Sequence, residues 1–493
     1  MASRVRRPRT PAGRGARDER TTVERLEEIR TMAESRGPVD PAPFLRALAD
    51  PEPILRRAAA WGLGQRKEAR GRAALEASLN DPDPAVRSSA AEALGSIGRF
   101  ESRLPIEALL SDADPRVREK AAWALWSLKD PAAIPALVPL LDDAEPTVRW
   151  AATAAIGRSG QPETVPLLTR LLTDAHDRVR RQAVFGLGEC GGPAVPNLIR
   201  PLLNDPARRV RVAAAIVLGR AGDTASVPML VDRLNFDESW VKPAVLIALG
   251  RIGDARAVPS VEAAMEERAG WIRVCAIHAL AELKSANAPA LVRRALADQL
   301  WSVRGAAALA LGSVGGPEDL AALLALLEDP HPWPRRGAIL ALGELDLAAA
   351  APRIREEVHS GAPEVRLAAI WALGRLRDDG ARETIATLLR QMKPGGVDPE
   401  MIAEGDGAVR LLSDAESRLF DTAVQALARL AQGEDDLFVR RALSEARERV
   451  DDEEMDRPAR LPPPEAGAGR PTPTLRAVFD AALPNVDDDE LGC

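Results

Sequence analysis

The sequence predicts an all-α fold, a right-handed superhelix of paired helices in which one unit of about 31 residues recurs twelve times. Three observations carry this reading: strict self-similarity, an apolar stripe of helical period within each unit, and start and stop signals on either side of that stripe. Strings such as DPDPAVRSSAAEALGSIG (Asp81 to Gly98) and DPHPWPRRGAILALGEL (Asp329 to Leu345) align when each unit is counted from an anchor at 50, 81, 112, 143, 174, 205, 236, 267, 298, 329 and 360. A twelfth anchor is expected at Asp414, displaced by a 23-residue insertion at 391–413.

Nine residues past the anchor stands alanine in every copy except Val245, and thirteen past it leucine except Ile156. Position +5 is mostly valine, as at Val86, Val117, Val148, Val179 and Val210. At 100° per residue, +5, +9, +12 and +13 share one face, the packing stripe of an amphipathic helix. Asp83 and Asp114 can accept bonds from the first free amides, and Pro84 and Pro115 suit the first helical position. Gly98, Gly160, Gly191, Gly222, Gly253 and Gly315, all at +17, are expected to end the helix in a left-handed turn. A second, shorter helix follows, as in IPALVPLL (Ile134 to Leu141) and VPLLTRLL (Val165 to Leu172).

Composition agrees with an array. Of 493 residues only 3% are aromatic and none is tyrosine, so a core built on large rings is excluded. The net charge of -7 comes from nearly balanced acids and bases and disfavours a dedicated nucleic-acid binder. Cys190, Cys275 and Cys493 are distant and odd in number, which argues against a disulfide framework. No apolar run reaches signal-peptide or membrane-span length, so a cytoplasmic protein without a membrane partner is expected.

The repeated V-R-x-x-A-A helix with its glycine stop resembles the HEAT repeat, in the short variety of phycobilisome-lyase-like (PBS lyase HEAT-like) proteins, over roughly Pro38 to Val450. The resemblance implies a HEAT-repeat solenoid whose V-R helices line the concave side. The expected organisation is a disordered basic terminus (1–20), a capping helix (21–37, with Thr22 to Ser35 helical) and eleven repeats (38–390). After the insertion come a twelfth repeat with closing helix (414–450), a Pro-rich linker (451–474), and an amphipathic segment with acidic tail (475–493).

The strongest pattern beyond the core is an arginine ladder at +6: Arg56, Arg87, Arg118, Arg149, Arg180, Arg211, Arg273, Arg304, Arg335 and Arg366, with Lys242 as substitute. Because aspartate recurs at the anchor, pairing within the array is the expected role, ahead of a cationic track for ligands. Catalytic signals are weak. His176, His278, His331 and His359 are too scattered for a metal site, and none precedes glutamate, against a deoxyhypusine hydroxylase-like di-iron centre. Gly186, Gly188 and Gly191 spell G-x-G-x-x-G but close a helix instead of opening one, so no nucleotide site is expected. Neither a catalytic residue, a metal nor a cofactor is nominated.

All nine tryptophans fall on the V-R helix or its leading turn: Trp301 at +3, Trp240, Trp271 and Trp333 at +4, Trp150 at +7, Trp61, Trp123 and Trp371 at +11, and Trp126 at +14. Positions +4, +7 and +11 lie nearly opposite the packing stripe, so an outward, tryptophan-lined groove is expected; burial between repeats is the alternative. Arg116, Arg178, Arg181, Arg209, Arg220 and Arg251 share those faces. The expected function is a non-catalytic scaffold or adaptor gripping an acidic, extended protein segment, with the chain's own tail as a competitor. The alternatives are a phycobilin-lyase-like or other HEAT-type enzyme and a nucleic-acid-binding HEAT protein.

Overall fold

In the computed structural model, residues 21–35, 37, 39–391 and 426 are described. Among these residues every regular element is helical and none is a strand. The insertion, the remainder of the twelfth repeat, the linker and the tail lie outside them.

A long helix recurs at the predicted interval: α1 (Thr22–Glu34), α2 (Pro53–Gln65), α3 (Pro84–Ile97), α4 (Pro115–Leu128), α5 (Pro146–Arg158), α6 (Asp177–Cys190), α7 (Arg208–Arg220), α8 (Lys242–Ile252), α9 (Gly270–Leu283), α10 (Trp301–Val314), α11 (Pro332–Glu344) and α12 (Pro363–Arg375). The chain divides into two units, residues 1–217 and 218–493, with the division inside α7. Within each unit, long helices stack on one another and short helices pack beside them as a second layer.

Helix starts follow local chemistry. Thr21 and Glu24 form a capping box on α1, and Asp83 accepts from the amides of Ala85 and Val86 at the head of α3. The buried set is the stripe read from the sequence, with Val86, Ala90 and Leu94 fully buried and their equivalents following in later repeats. Close approach is set at +14 of one repeat against +12 of the next. A Cβ on Gly157 would lie 2.6 Å from Gly186 Cα, and one on Gly95 2.7 Å from Ala124 Cα. Gly374 meets Ala426 in the same way at 2.8 Å, the register expected of an anchor at Asp414.

Two expectations about helix ends need correction. Gly315 has φ -85° and is not left-handed; Asp319 closes that turn by accepting from the Gly316 amide at 2.9 Å. Elsewhere at +17, Lys67, Lys129, Lys284, Asp346 and Arg377 take positive φ as the glycines do. The turn is imposed by stacking, and these side chains bear its steric cost. The short helices are also less regular than expected: Ile134–Leu137 is α-helical, but Val138–Asp142 tightens to a 3₁₀ turn where Pro139 lacks an amide to donate.

Candidate functional site

Most ladder arginines are occupied within the repeats; Arg366 differs, its buried Nε having no hydrogen-bond partner. Arg87 donates from Nε and Nη2 to the two carboxylate oxygens of Asp112 at 2.7 and 2.8 Å, and from Nη1 to its own anchor carbonyl, Asp81, at 2.8 Å. Asp112 in turn accepts from the Asp114 amide at 2.9 Å, fastening the turn that leads into α4. The same arrangement joins Arg118 to Asp143, Arg149 to Asp174, Arg180 to Asp205, Arg273 to Asp298 and Arg304 to Asp329. Arg25 on α1 pairs with Asp50, so the capping helix continues the ladder one step earlier than the repeat pattern suggested. Arg211 is buried and donates to the carbonyls of Asp205 and Pro206 at 2.9 and 3.1 Å.

The fork from Arg56 holds the Asp81 carboxyl below its ordinary range. At Asp112, Asp143, Asp174, Asp298 and Asp329, burial pushes upward, but the arginine bond and the amide two residues on outweigh it, and these carboxyls are also lowered. One rung differs in kind. Lys242 reaches Glu267 through a single ammonium contact of 2.5 Å.

The tryptophans divide into two populations. In the first unit, Trp123 stands edge-on to Trp126 at 5.8 Å and to Trp150 at 4.9 Å. The Arg158 guanidinium lies 3.9 Å from the Trp126 ring and that of Arg178 lies 6.0 Å from Trp150. Trp126 occupies a +14 position, where most repeats have glycine, and its ring is taken up by this cluster. Arg116 and Arg178 are exposed, Arg181 lies over Phe185, and Arg209 is half-buried. Trp61, 37% exposed, belongs to none of these ring pairs.

In the second unit the exposed rings gather at one end of successive repeats. Trp240 is 60% exposed, Trp271 41% and Trp301 45%. Trp240 and Trp271 lie 5.6 Å apart and tilted, and Trp301 stacks on His331 at 3.9 Å. Phe236 stands at an anchor, where other repeats carry an acid or a serine, and is 80% exposed. It was not among the residues singled out from the sequence, where its one signal is an apolar residue at an anchor position. Arg220 is exposed and Arg251 half-buried.

A uniform outward array of tryptophans is therefore not what forms. Trp123, Trp150, Trp333 and Trp371 are half-buried. Trp333 packs onto the bare backbone of Gly305 beneath Arg336, and Trp371 onto Gly343 beside Arg375. A helical wheel treats each helix alone, whereas glycine and alanine contacts bring adjacent long helices close enough for rings to meet the next repeat.

Other sequence candidates serve packing. Gly186 and Gly188 of the G-x-G-x-x-G string face Gly157 and the Val217 side chain. Cys275 is buried and its thiol is pushed up to about 12, while burial also raises Cys190, which touches the Thr164 hydroxyl at 3.3 Å. His278 is buried on α9, and the rings of His176 and His331 cap α6 and α11. Among the described residues no three His, Cys, Asp or Glu side chains gather where they could hold a metal ion. No helix among them is long and apolar enough to cross a membrane.

Stacked helix pairs joined by a charged ladder define an α-solenoid. The family model for HEAT repeats matches residues 41–106, 102–188, 195–274, 261–341 and 320–397, and that for the PBS lyase HEAT-like repeat matches 179–205. The chain belongs to the HEAT-repeat family.

No curated protein sequence matches the chain. Yeast importin-beta (Kap95p) is 13% identical, with a TM-score of 0.56 over 87% of this chain and 68% of that one. The Kap95:Nup1 complex contains a chain 14% identical, with a TM-score of 0.54 over 88% of this chain and 73% of that one. These likenesses speak for the fold. The CpcE and CpcF complex of phycocyanin lyase from a Nostoc species is 26% identical over 52% of this chain and 94% of that one, but its TM-score of 0.27 carries no geometric argument.

Proposed function

We propose that the protein is a non-catalytic scaffold or adaptor, and that its first unit binds an acidic, partly apolar, extended segment of a protein partner. The observation that carries this reading is the Trp123, Trp126 and Trp150 cluster with Arg178 at its edge and Arg116 exposed at the start of α4, the helix that carries Trp123 and Trp126. Neither guanidinium has an ion pair among the described residues, whereas ladder arginines such as Arg87, Arg118, Arg149 and Arg304 are held by aspartate. Tryptophan and arginine are the residue types that most often anchor interfaces, and cations steer acidic ligands. The importin-beta structures similar in fold include one in complex with Nup1, which supports a protein partner for this chain.

A labelled peptide of residues 475–493, apolar and then acidic, serves as the probe. Binding is expected to weaken about tenfold or more between ~50 and ~500 mM salt. The double variant Arg116→Glu, Arg178→Glu is expected to weaken it comparably at low salt. Equal affinity at both salts and in both proteins would overturn the reading.

A further inference from the structure

The second unit carries a surface that the arginine cluster does not explain. Phe236, Trp240, Trp271, Leu300 and Trp301 are exposed, and His331 continues the line by stacking on Trp301. They occupy equivalent places in successive repeats: the end of the short helix Val227–Phe236, the turn before α8, the first turn of α9, the start of α10 and the cap of α11. Exposed aromatic surface of this extent marks a binding site.

The polar groups of this edge restrict what can cover it. The amides of Leu300 and His331 are already given to Asp298 and Asp329 at 2.9 Å each, and both carboxylates are held by arginine forks. Over Trp301 and His331, an ordinary peptide's amides would therefore find these two acceptors already taken, at a desolvation cost. Proline has no amide to satisfy and stacks on aromatic rings. Spacing fits as well. Packed helices lie about 8–10 Å apart, and a polyproline II turn of three residues climbs about 9 Å, so one turn of the ligand advances by one repeat.

We infer that the aromatic edge of the second unit binds the chain's own proline-rich segment, residues 461–474, LPPPEAGAGRPTPT, in polyproline II form. Ala426 packs against Gly374, so the chain passes one repeat beyond α12 about 35 residues before Leu461. That length spans up to ~115 Å when extended, far more than a return across a few repeats requires. The segment carries Arg470 and a single acid, Glu465, unlike the acidic tail. The inference is therefore independent of the first unit's arginines.

The test uses the full chain labelled with 5-fluorotryptophan, its nine resonances assigned by single Trp→Phe variants. Replacing Pro462, Pro463 and Pro464 together with glycine is expected to shift the Trp240 and Trp271 resonances and increase their solvent isotope effect, leaving those of Trp61 and Trp123 in place. Adding a synthetic peptide of residues 457–475 to that variant should restore the shifts, and Trp240→Ala with Trp271→Ala should weaken this peptide at least tenfold. A peptide with alanine for every proline should do nothing. Unmoved resonances in the triple variant overturn the inference, even if the added peptide binds, because the edge would then take proline from another chain. Displacement of these resonances by the 475–493 peptide also overturns it. Loss of acidic-peptide binding in the Arg116 and Arg178 variant, with these resonances unchanged, touches only the proposed function.

Discussion

The same repeat is used to opposite ends in the two units. In the first, three tryptophans turn towards one another and towards arginines, making a cohesive cluster with a cationic edge. In the second, rings at the helix starts stand out from the surface, with Phe236 replacing the acid of a ladder rung. The packing stripe is alike in both, so what distinguishes them lies in the positions the stripe leaves free. A solenoid can vary its binding character along its length without altering how its repeats stack.

The largest effect should come from the stacking contacts. Gly157→Leu drives a side chain into the Gly186 backbone and should cost about 3 kcal/mol, read as a lowered denaturant midpoint. In the second unit, Gly312→Ala meets Ala341 Cα at 3.3 Å and should cost much less. Equal losses would show that the different approach distances at these two sites, 2.6 and 3.3 Å, do not set the cost.

Next comes the ladder. Arg149→Ala leaves Asp174 partly buried without its fork and should cost about 2 kcal/mol, more than Lys242→Ala, where a single ammonium contact is lost instead of a two-point fork. Because the anchor carboxyls are lowered in the folded state, their contribution is present above the unfolded value near 4 and is lost as pH falls through the folded values. Urea midpoints should drop steeply below about pH 4, and Arg149→Ala should flatten that limb. A parallel acid limb in the variant would exclude the Arg149–Asp174 pair as its source.

The aromatic contrast predicts a smaller but more telling difference. Trp126→Ala removes a ring packed against Trp123 and Arg158 and should destabilise by about 1–2 kcal/mol. Trp240→Ala, on a ring already 60% exposed, should stay within about 0.5 kcal/mol. Calorimetry of both variants in the Pro462→Gly, Pro463→Gly, Pro464→Gly background, where the inferred docking of the proline-rich segment is lost, checks this, and a reversed order would mean that Trp240 is packed more tightly than Trp126. The smallest effect has the opposite sign: Lys129→Gly relieves a left-handed residue in the first unit and should raise stability by up to about 1 kcal/mol, measurable as a higher Tm.

The repeat interval, the buried stripe, the aspartate caps and the identity of the ladder residues were all legible because each depends on residues within one helix or on a spacing of 31. The left-handed residues at Lys129 and Lys284 were not legible, since lysine carries no local signal for positive φ. Nor was the burial of Trp333 and Trp371, which depends on bare backbone at Gly305 and Gly343 in the preceding repeat. Phe236 was passed over in the sequence, and only its exposure made it part of a surface.

By itself the sequence determined the repeated element and its register, because amphipathic period, capping and glycine placement are short-range properties that a chain carries wherever it folds. Tertiary structure alone decided which tryptophans became half-buried between repeats and which stayed exposed. That choice rests on how closely each long helix approaches the next, a distance set jointly by residues about 28 to 29 apart in sequence. One observation joins the two levels: Ala426 faces Gly374 as the +12 and +14 positions of successive repeats do elsewhere, a small residue against a glycine, although more sequence separates this pair than the others.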